Sequence, residues 1–203
     1  TENVLGKEHP NTLTSVSNLA SVLQHQGKYE AAEEMNQCAL EGREKALGKE
    51  HPDTLASVSN LASVLQCQGK HEAAEEMNRR ALEGMEKALG KEHPNTLISV
   101  SNLARVLQYQ GKYEAAEEMN RRALEGTEKV LGKEHPNTLT SVYRLAHLFQ
   151  ERGQYKDALS LYQRACTGYQ KTLGLDHPTT RTCFFFFFIS VVLYYVQYCA
   201  CSL

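Results

Sequence analysis

Five His-Pro pairs begin at residues 9, 51, 93, 135 and 177, four of them inside the string Leu-Gly-Lys-Glu-His-Pro. A histidine flanked by a carboxylate and an amine has the residue types for metal ligation or for general acid–base work. The spacing argues against both. Packed helix axes stand about 8–10 Å apart, so histidines one repeat apart in a helical stack are about 10 Å or more from each other and cannot share one zinc ion. No HExxH, no Gly-rich phosphate loop and no Ser/His/Asp set with supporting context occurs. A catalytic site is built once, from unlike groups that converge; a string copied in every repeat is structural. The expectation is a chain with no catalytic residues, metal, cofactor or small-molecule substrate. In the linker, Gly ends one helix, Pro starts the next, Asn/Asp and Thr supply polar groups to the first turn, and the His is a cap-region residue.

The six cysteines show no disulfide or zinc framework. Cys38 has Arg80 and Arg122 as repeat counterparts, Cys67 has His25 and Tyr109, and Cys166 has Leu40, Leu82 and Leu124. Positions that accept Arg, Tyr or Leu are not expected to be ligands or bridges, and reduced, intracellular thiols are expected. The formal net charge of −2 argues against an electrostatic nucleic-acid binder.

The His-Pro pairs recur every 42 residues, and residues 5–46 match 47–88 at 35 of 42 positions. A fixed period in this range marks a stacked-repeat array, in which each copy contacts only its neighbours. The units are 5–46, 47–88, 89–130 and 131–172; 173–182 is a linker opening a fifth unit, and 183–203 is a hydrophobic tail. The start, TENVLG, matches TEKVLG at 127–132. Residues 1–4 are therefore expected to end a preceding repeat of a longer protein.

Within one unit, Leu13, Val16, Leu19, Ala20 and Leu23 recur at helical spacing and define a first helix opened by Pro10 and closed by Gly27. Ala31, Ala32, Met35, Ala39 and Leu40 form the apolar side of a second, closed by Gly48. The helices are roughly 17 and 19 residues, about 25 and 28 Å long. Alanines at 20, 32 and 39 permit close contact. Glu75/Arg79, Glu76/Arg80, Glu117/Arg121 and Glu118/Arg122 are expected i,i+4 pairs on a solvated outer face.

Residues 17–40, SNLASVLQHQGKYEAAEEMNQCAL, resemble a tetratricopeptide repeat. The 42-residue period, the Asn-Leu-Ala triplet, Gln-Gly-Lys-Tyr-Glu and the linker resemble the long-helix version found in kinesin light chains and fungal proteins of that type, some of which follow a nucleotide-binding signalling module. The resemblance covers residues 1 to about 182. Asn36, Asn78 and Asn120 depart from the aromatic usual in the family, and Tyr162 restores it. HEAT-type repeats have a similar period, but the Gly-x-Tyr turn argues against them. The resemblance implies an all-α solenoid of antiparallel helical hairpins in a right-handed superhelix, with first helices lining a concave surface that binds an extended or helical peptide. It matches the family's peptide-contacting asparagine to Asn18, Asn60 and Asn102.

Comparison of the first helices with one another finds variation at Thr14/Ala56/Ile98, Ser21/Ser63/Arg105 and His25/Cys67/Tyr109. These positions fall within about 20° of each other on a helical wheel, in the stripe of the asparagines. The fourth copy places Tyr143, Arg144, His147 and Glu151 there. These sixteen residues are the candidate partner-binding set, although neutral change also collects where packing forbids nothing. Arg105 and Arg144 are the stripe's only cations apart from the edge residue Arg152, too few for a basic clamp on a C-terminal carboxylate. The expected partner is a protein or peptide, not nucleic acid, and the expected location is cytoplasmic.

From Cys183 the chain carries no charge through Leu203 and begins with five consecutive phenylalanines. Three readings stand open: a tail anchor long enough to span a bilayer, an improvised hydrophobic cap, or a segment from intronic or out-of-frame DNA. A membrane contact is expected only with the first. The function expected is a non-catalytic protein-interaction scaffold; the alternatives are a regulatory or sensor array in a larger nucleotide-binding signalling protein, or a tail-anchored adaptor.

Overall fold

The structure, a computed structural model, describes Gly6 and residues 8–200. The expected preceding turn at 1–4, part of the first linker and the last three tail residues lie outside them. Among the described residues there are nine helices and no strand. They are α1 (Pro10–His25), α2 (Tyr29–Leu47), α3 (Pro52–Cys67), α4 (His71–Leu89), α5 (Pro94–Tyr109), α6 (Tyr113–Leu131), α7 (Pro136–Glu151), α8 (Tyr155–Leu173) and α9 (Pro178–Ala200). Two compact units divide between α5 and α6. In the first, α1 to α5 pack each on the next, with further contacts of α3 to α1 and α5; in the second, α6 to α9 pack consecutively and α9 also reaches α7.

The linker sets the helix ends. Pro occupies the first position of every first helix, and the residue before it, His9, His51, His93, His135 or His177, is extended or accepts a backbone hydrogen bond. His93 Nδ1 accepts the Asn95 amide at 3.2 Å, and its four counterparts do likewise at 3.1–3.2 Å. The histidine lies in the cap region as expected, and its ring itself satisfies an orphan N–H of the first turn. An accepting Nδ1 carries no proton, so the proton sits on Nε2. Thr96 and Thr138 turn backwards instead, donating to the Gly90 and Gly132 carbonyls at 2.8 Å. Gly90 takes φ 89°, where a Cβ is strained, and ends α4. At the tighter turn into α4, Gly69 takes φ 78° and the Lys70 amide reaches back to the Leu65 carbonyl at 2.9 Å.

Hairpins close through small residues. Ala20, Ala32 and Ala39 and their counterparts in the next three repeats are fully buried. Mid-helix glycines make a deeper notch: a Cβ on Gly84 would stand 2.6 and 2.7 Å from the two Leu55 methyls, and one on Gly42 2.6 Å from a Leu13 methyl. Between hairpins, Leu40 of α2, Val58, Leu61 and Leu65 of α3 and Ala74 and Ala81 of α4 belong to one cluster that extends to Val106. The expected core position Leu19 is 49% exposed, whereas its counterparts Leu61, Leu103 and Leu145 are 4, 2 and 2% exposed. That face is covered by the second helix of the hairpin before, and no helix precedes α1 among the described residues. On the second helix, Asn36 is buried and Met35 only half so.

The charges form fewer local pairs than expected. Arg79–Glu75 and Arg121–Glu117 are i,i+4 pairs at 2.8 Å. Arg80 leaves Glu76 and reaches Glu44 of α2 at 2.6 Å; Arg164 reaches Glu128 the same way, so this register ties one second helix to the next. Hydrogen bonds from Gln68 and then Lys70 hold the Glu33 carboxyl below its ordinary range.

The tail continues the array as one helix. On α9, Thr180, Cys183 and Ser190 are buried and Cys183 meets Cys166 of α8, while Phe185, Phe188 and Val192 are exposed. Phe188 holds the register of Ala20, but no second helix follows among the described residues to cover it.

Two substitutions probe this construction. His93→Ala removes the cap acceptor of α5 and is expected to lower unfolding free energy by about 1 kcal/mol, with His93→Asn restoring most of it; urea denaturation reads both. Gly84→Ala improves helix propensity by roughly 1 kcal/mol, yet it is expected to be net destabilising by about 1–3 kcal/mol because Leu55, fully buried, has nowhere to retreat. A rise in the urea midpoint would refute the notch.

Candidate partner-binding face

The first helices place the candidate residues on their exposed side. In the first unit, Thr14, Asn18, Ser21 and His25 of α1, Ala56, Asn60 and Cys67 of α3, and Ile98 and Tyr109 of α5 are exposed, while Ser63, Asn102 and Arg105 are half-buried. Six of them converge. Asn18, Ser21, His25, Asn60, Ser63 and Arg105, with Ser17, Gln24 and Asn36, line one polar cavity of about 420 Å³.

Its chemistry is that of amides and hydroxyls around one cation. Gln24 Nε2 donates to Ser63 Oγ at 3.0 Å and lies 3.3 Å from Cys67 Sγ. Arg105 Nη2 donates to the same Ser63 Oγ at 3.4 Å, and its buried Nε has no hydrogen-bond partner. Arg105 faces no carboxylate at ion-pair distance among the described residues. His25 Nδ1 stands 2.7 Å from the Ser21 carbonyl, an acceptor only, so Nδ1 bears a proton and Nε2 is left for an outside partner. No hydroxyl of the cavity is bonded to a histidine or carboxylate that would activate it, and among the described residues no three His, Cys, Asp or Glu side chains are grouped to hold a metal ion.

Two of the remaining residues of that unit, Thr14 and Tyr109, serve other contacts. Thr14 Oγ1 accepts from Arg43 of α2 at 3.2 Å, and Arg43 also donates to Ser57. Tyr109 stacks on His71, ring centroids 5.9 Å apart and nearly parallel. In the second unit the candidate residues meet aromatic rings. Tyr143 packs edge-on against Tyr162 at 5.6 Å and Phe186 at 6.2 Å, and His147 packs against Phe186 at 5.3 Å. His147 Nδ1 lies 3.6 Å from Glu151 Oε1, and Arg144 is half-buried beside them. Burial, reinforced by Cys183 and Tyr169 nearby, pushes the Tyr143 hydroxyl up to about 12, so it stays a neutral donor and acceptor.

Sequence comparison confined to first helices missed one line of residues. Arg43, Met85, Thr127 and Tyr169 share a register on the second helices and differ in every repeat. Arg43 touches Thr14, and Tyr169 touches Thr140, the counterpart of Thr14, at 3.0 Å. Repeat-against-repeat comparison of the second helices carries that signal.

Repeated antiparallel hairpins with consecutive packing and a polar stripe along the first helices define an α-solenoid repeat protein. The chain belongs to the tetratricopeptide repeat family: the family model matches residues 1–45, 11–87, 54–129 and 95–171. A Podosopora anserina protein of the kinesin light chain type, with nearly identical TPR-like repeats, is 30% identical and aligns over 96% of this chain and 92% of its own, with a TM-score of 0.75. A single-substitution variant of that protein gives 28% identity with the same coverage and TM-score. BtubC from P. vanneervenii shares the fold at 22% identity and a TM-score of 0.76, over 90% of this chain and 73% of its own. No curated protein matches the chain significantly. Proteins of this family and fold generally mediate protein–protein interaction and are typically non-catalytic scaffolds.

The isolated Arg105 separates binding from stability. Arg105→Met removes one long hydrogen bond and a buried N–H without a partner, so the unfolding free energy is expected to change by less than about 0.5 kcal/mol or to rise. Thermal unfolding of the two proteins checks this.

Proposed function

We propose that the chain is a cytoplasmic, non-catalytic interaction scaffold whose first helices in residues 1–110 hold a peptide or an extended segment of a protein partner. The observation that carries the reading is the convergence of Asn18, Asn60, Ser21, Ser63, His25 and Arg105, from three separate first helices, on one polar cavity. Primary amides both donate and accept, so the asparagines can pair with a peptide backbone whatever its side chains. Arg105, His25 and the variable positions around them would set preference. The scarcity of other cations on the first-helix stripe argues against selective capture of acidic C-terminal tails, and the net charge of −2 argues against nucleic acid.

A second reading has its own observation. α9 from Pro178 to Cys199 has a mean hydropathy of 1.7 and only 11% of its most apolar stretch buried, which favours a membrane-tethered adaptor in which the repeats still bind the partner.

Selection of a displayed random-peptide library on the purified chain tests the main reading. An enriched sequence is expected to bind about 10-fold more weakly to Asn60→Ala, about 1.4 kcal/mol, and similarly to Asn18→Ala, with Glu76→Ala on the exposed side of α4 unchanged. Affinity indifferent to both asparagines would sink the proposal.

A further inference from the structure

Cys166 of α8 and Cys183 of α9 are both buried, 2% and 0% exposed, and their sulfurs are 2.6 Å apart as free thiols. A disulfide bond is about 2.05 Å long, so the sulfurs stand within an ångström of bonding distance. The repeat register singles the pair out. The two positions hold Leu40 and Ser57, Leu82 and Ser99, Leu124 and Ser141 at the three earlier junctions, and Cys on both sides only at the last. Cys38, Cys67 and Cys199 are exposed and none is paired with another cysteine.

We propose that Cys166 and Cys183 are a reversible disulfide site that ties the apolar helix α9 to α8 under oxidising conditions. With a peroxide as oxidant, one thiolate attacks a peroxide oxygen and hydroxide leaves, taking a proton to become water; the sulfenic acid is then attacked by the second thiol, forming the S–S bond and releasing a second water. Two thiols and one peroxide become one disulfide and two waters, and a thiol reductant reverses the bond. Its hydrogen bond with Cys166 and burial hold the Cys183 thiol well above its ordinary range. The bond closes a loop that contains the 173–182 linker and constrains its unfolded ensemble. With the bond formed, α9, long and apolar enough to cross a membrane, cannot leave α8; reduction frees it to do so.

The test treats the full chain at low concentration with hydrogen peroxide, blocks remaining thiols by alkylation, and maps tryptic peptides by mass spectrometry. Cleavage after Arg164, Lys171 and Arg181 puts the two cysteines on separate peptides. The expected result is a linked pair, lighter by two hydrogens, with fragmentation locating the bond at Cys166 and Cys183. It should vanish on dithiothreitol treatment and in Cys166→Ser and Cys183→Ser, and persist in Cys67→Ser. Oxidation should also raise the thermal midpoint of the parent chain and leave that of Cys166→Ser unmoved. Recovery of both residues as alkylated thiols after Cys67 has been oxidised would overturn the proposal, as would either one ending as a sulfinic acid.

Discussion

Insertion of a first-helix leucine into a glycine notch on the second helix is the contact on which the rest of these hairpins depends. Leu13 meets Gly42, Leu55 meets Gly84 and Leu139 meets Gly168. Without a Cβ at the notch the two backbones approach until the alanines flanking it also touch and lose all exposure. Close approach fixes the rotation of the first helix about its axis, because the leucine has one place to go. With that rotation set, the inter-hairpin face carrying Val58, Leu61 and Leu65 turns toward the preceding second helix, and the stripe carrying Asn60 and Ser63 turns away. The candidate face is thus a by-product of packing on the opposite sides of the helix: it is turned away from the packed faces and met from the second helices by side chains such as Arg43.

The linker adds what packing alone leaves free, namely where each helix starts and stops. Pro sets φ at the first position, the histidine ring caps the first turn, and a positive-φ glycine ends the helix before. These devices are local and identical in each copy, so every first helix begins at the same register against its partner. The period can therefore hold at 42 residues without slippage, and Leu13, Leu55 and Leu139 each arrive opposite a glycine. The repeated Lys-Glu-His-Pro is explained by this timing, with no need for chemistry at the histidine.

Much of this was legible in the sequence. Pro10, Gly27 and Gly48 bound the first two helices as observed, because caps and breakers act through their own backbone. What failed needed a neighbour. Leu19 has the same periodicity as Leu61, yet only Leu61 has a helix before it to bury it. Arg80 has Glu76 one turn away, yet Glu44 on the adjacent helix lies closer to its guanidinium. The mid-helix glycines were passed over because a glycine inside a helix usually signals weakness, and their use appears only when the facing leucine is in place. Six residues of the candidate face were legible as a group. Residues on the second helices that meet it, such as Arg43 and Tyr169, were not, because a wheel drawn for one helix says nothing of what its neighbour presents.

The last junction shows how far the repeat rules tolerate departure. Phe186 stands in the register of Asn18, Asn60 and Asn102 and Phe188 in that of the fully buried alanines. A second helix cannot approach a phenylalanine at this register as α2 approaches Ala20. The face of α9 toward the array avoids that conflict: it relies on Thr180, Cys183 and Ser190, small side chains that let it sit against α8. Phe186 then fills the space over Tyr143 and His147 with aromatic edge contacts instead of amides. The same helix position that leaves a polar cavity in the first unit closes the candidate face in the second. Asn18 and Asn60 leave that position exposed; Phe186 covers it from the chain itself.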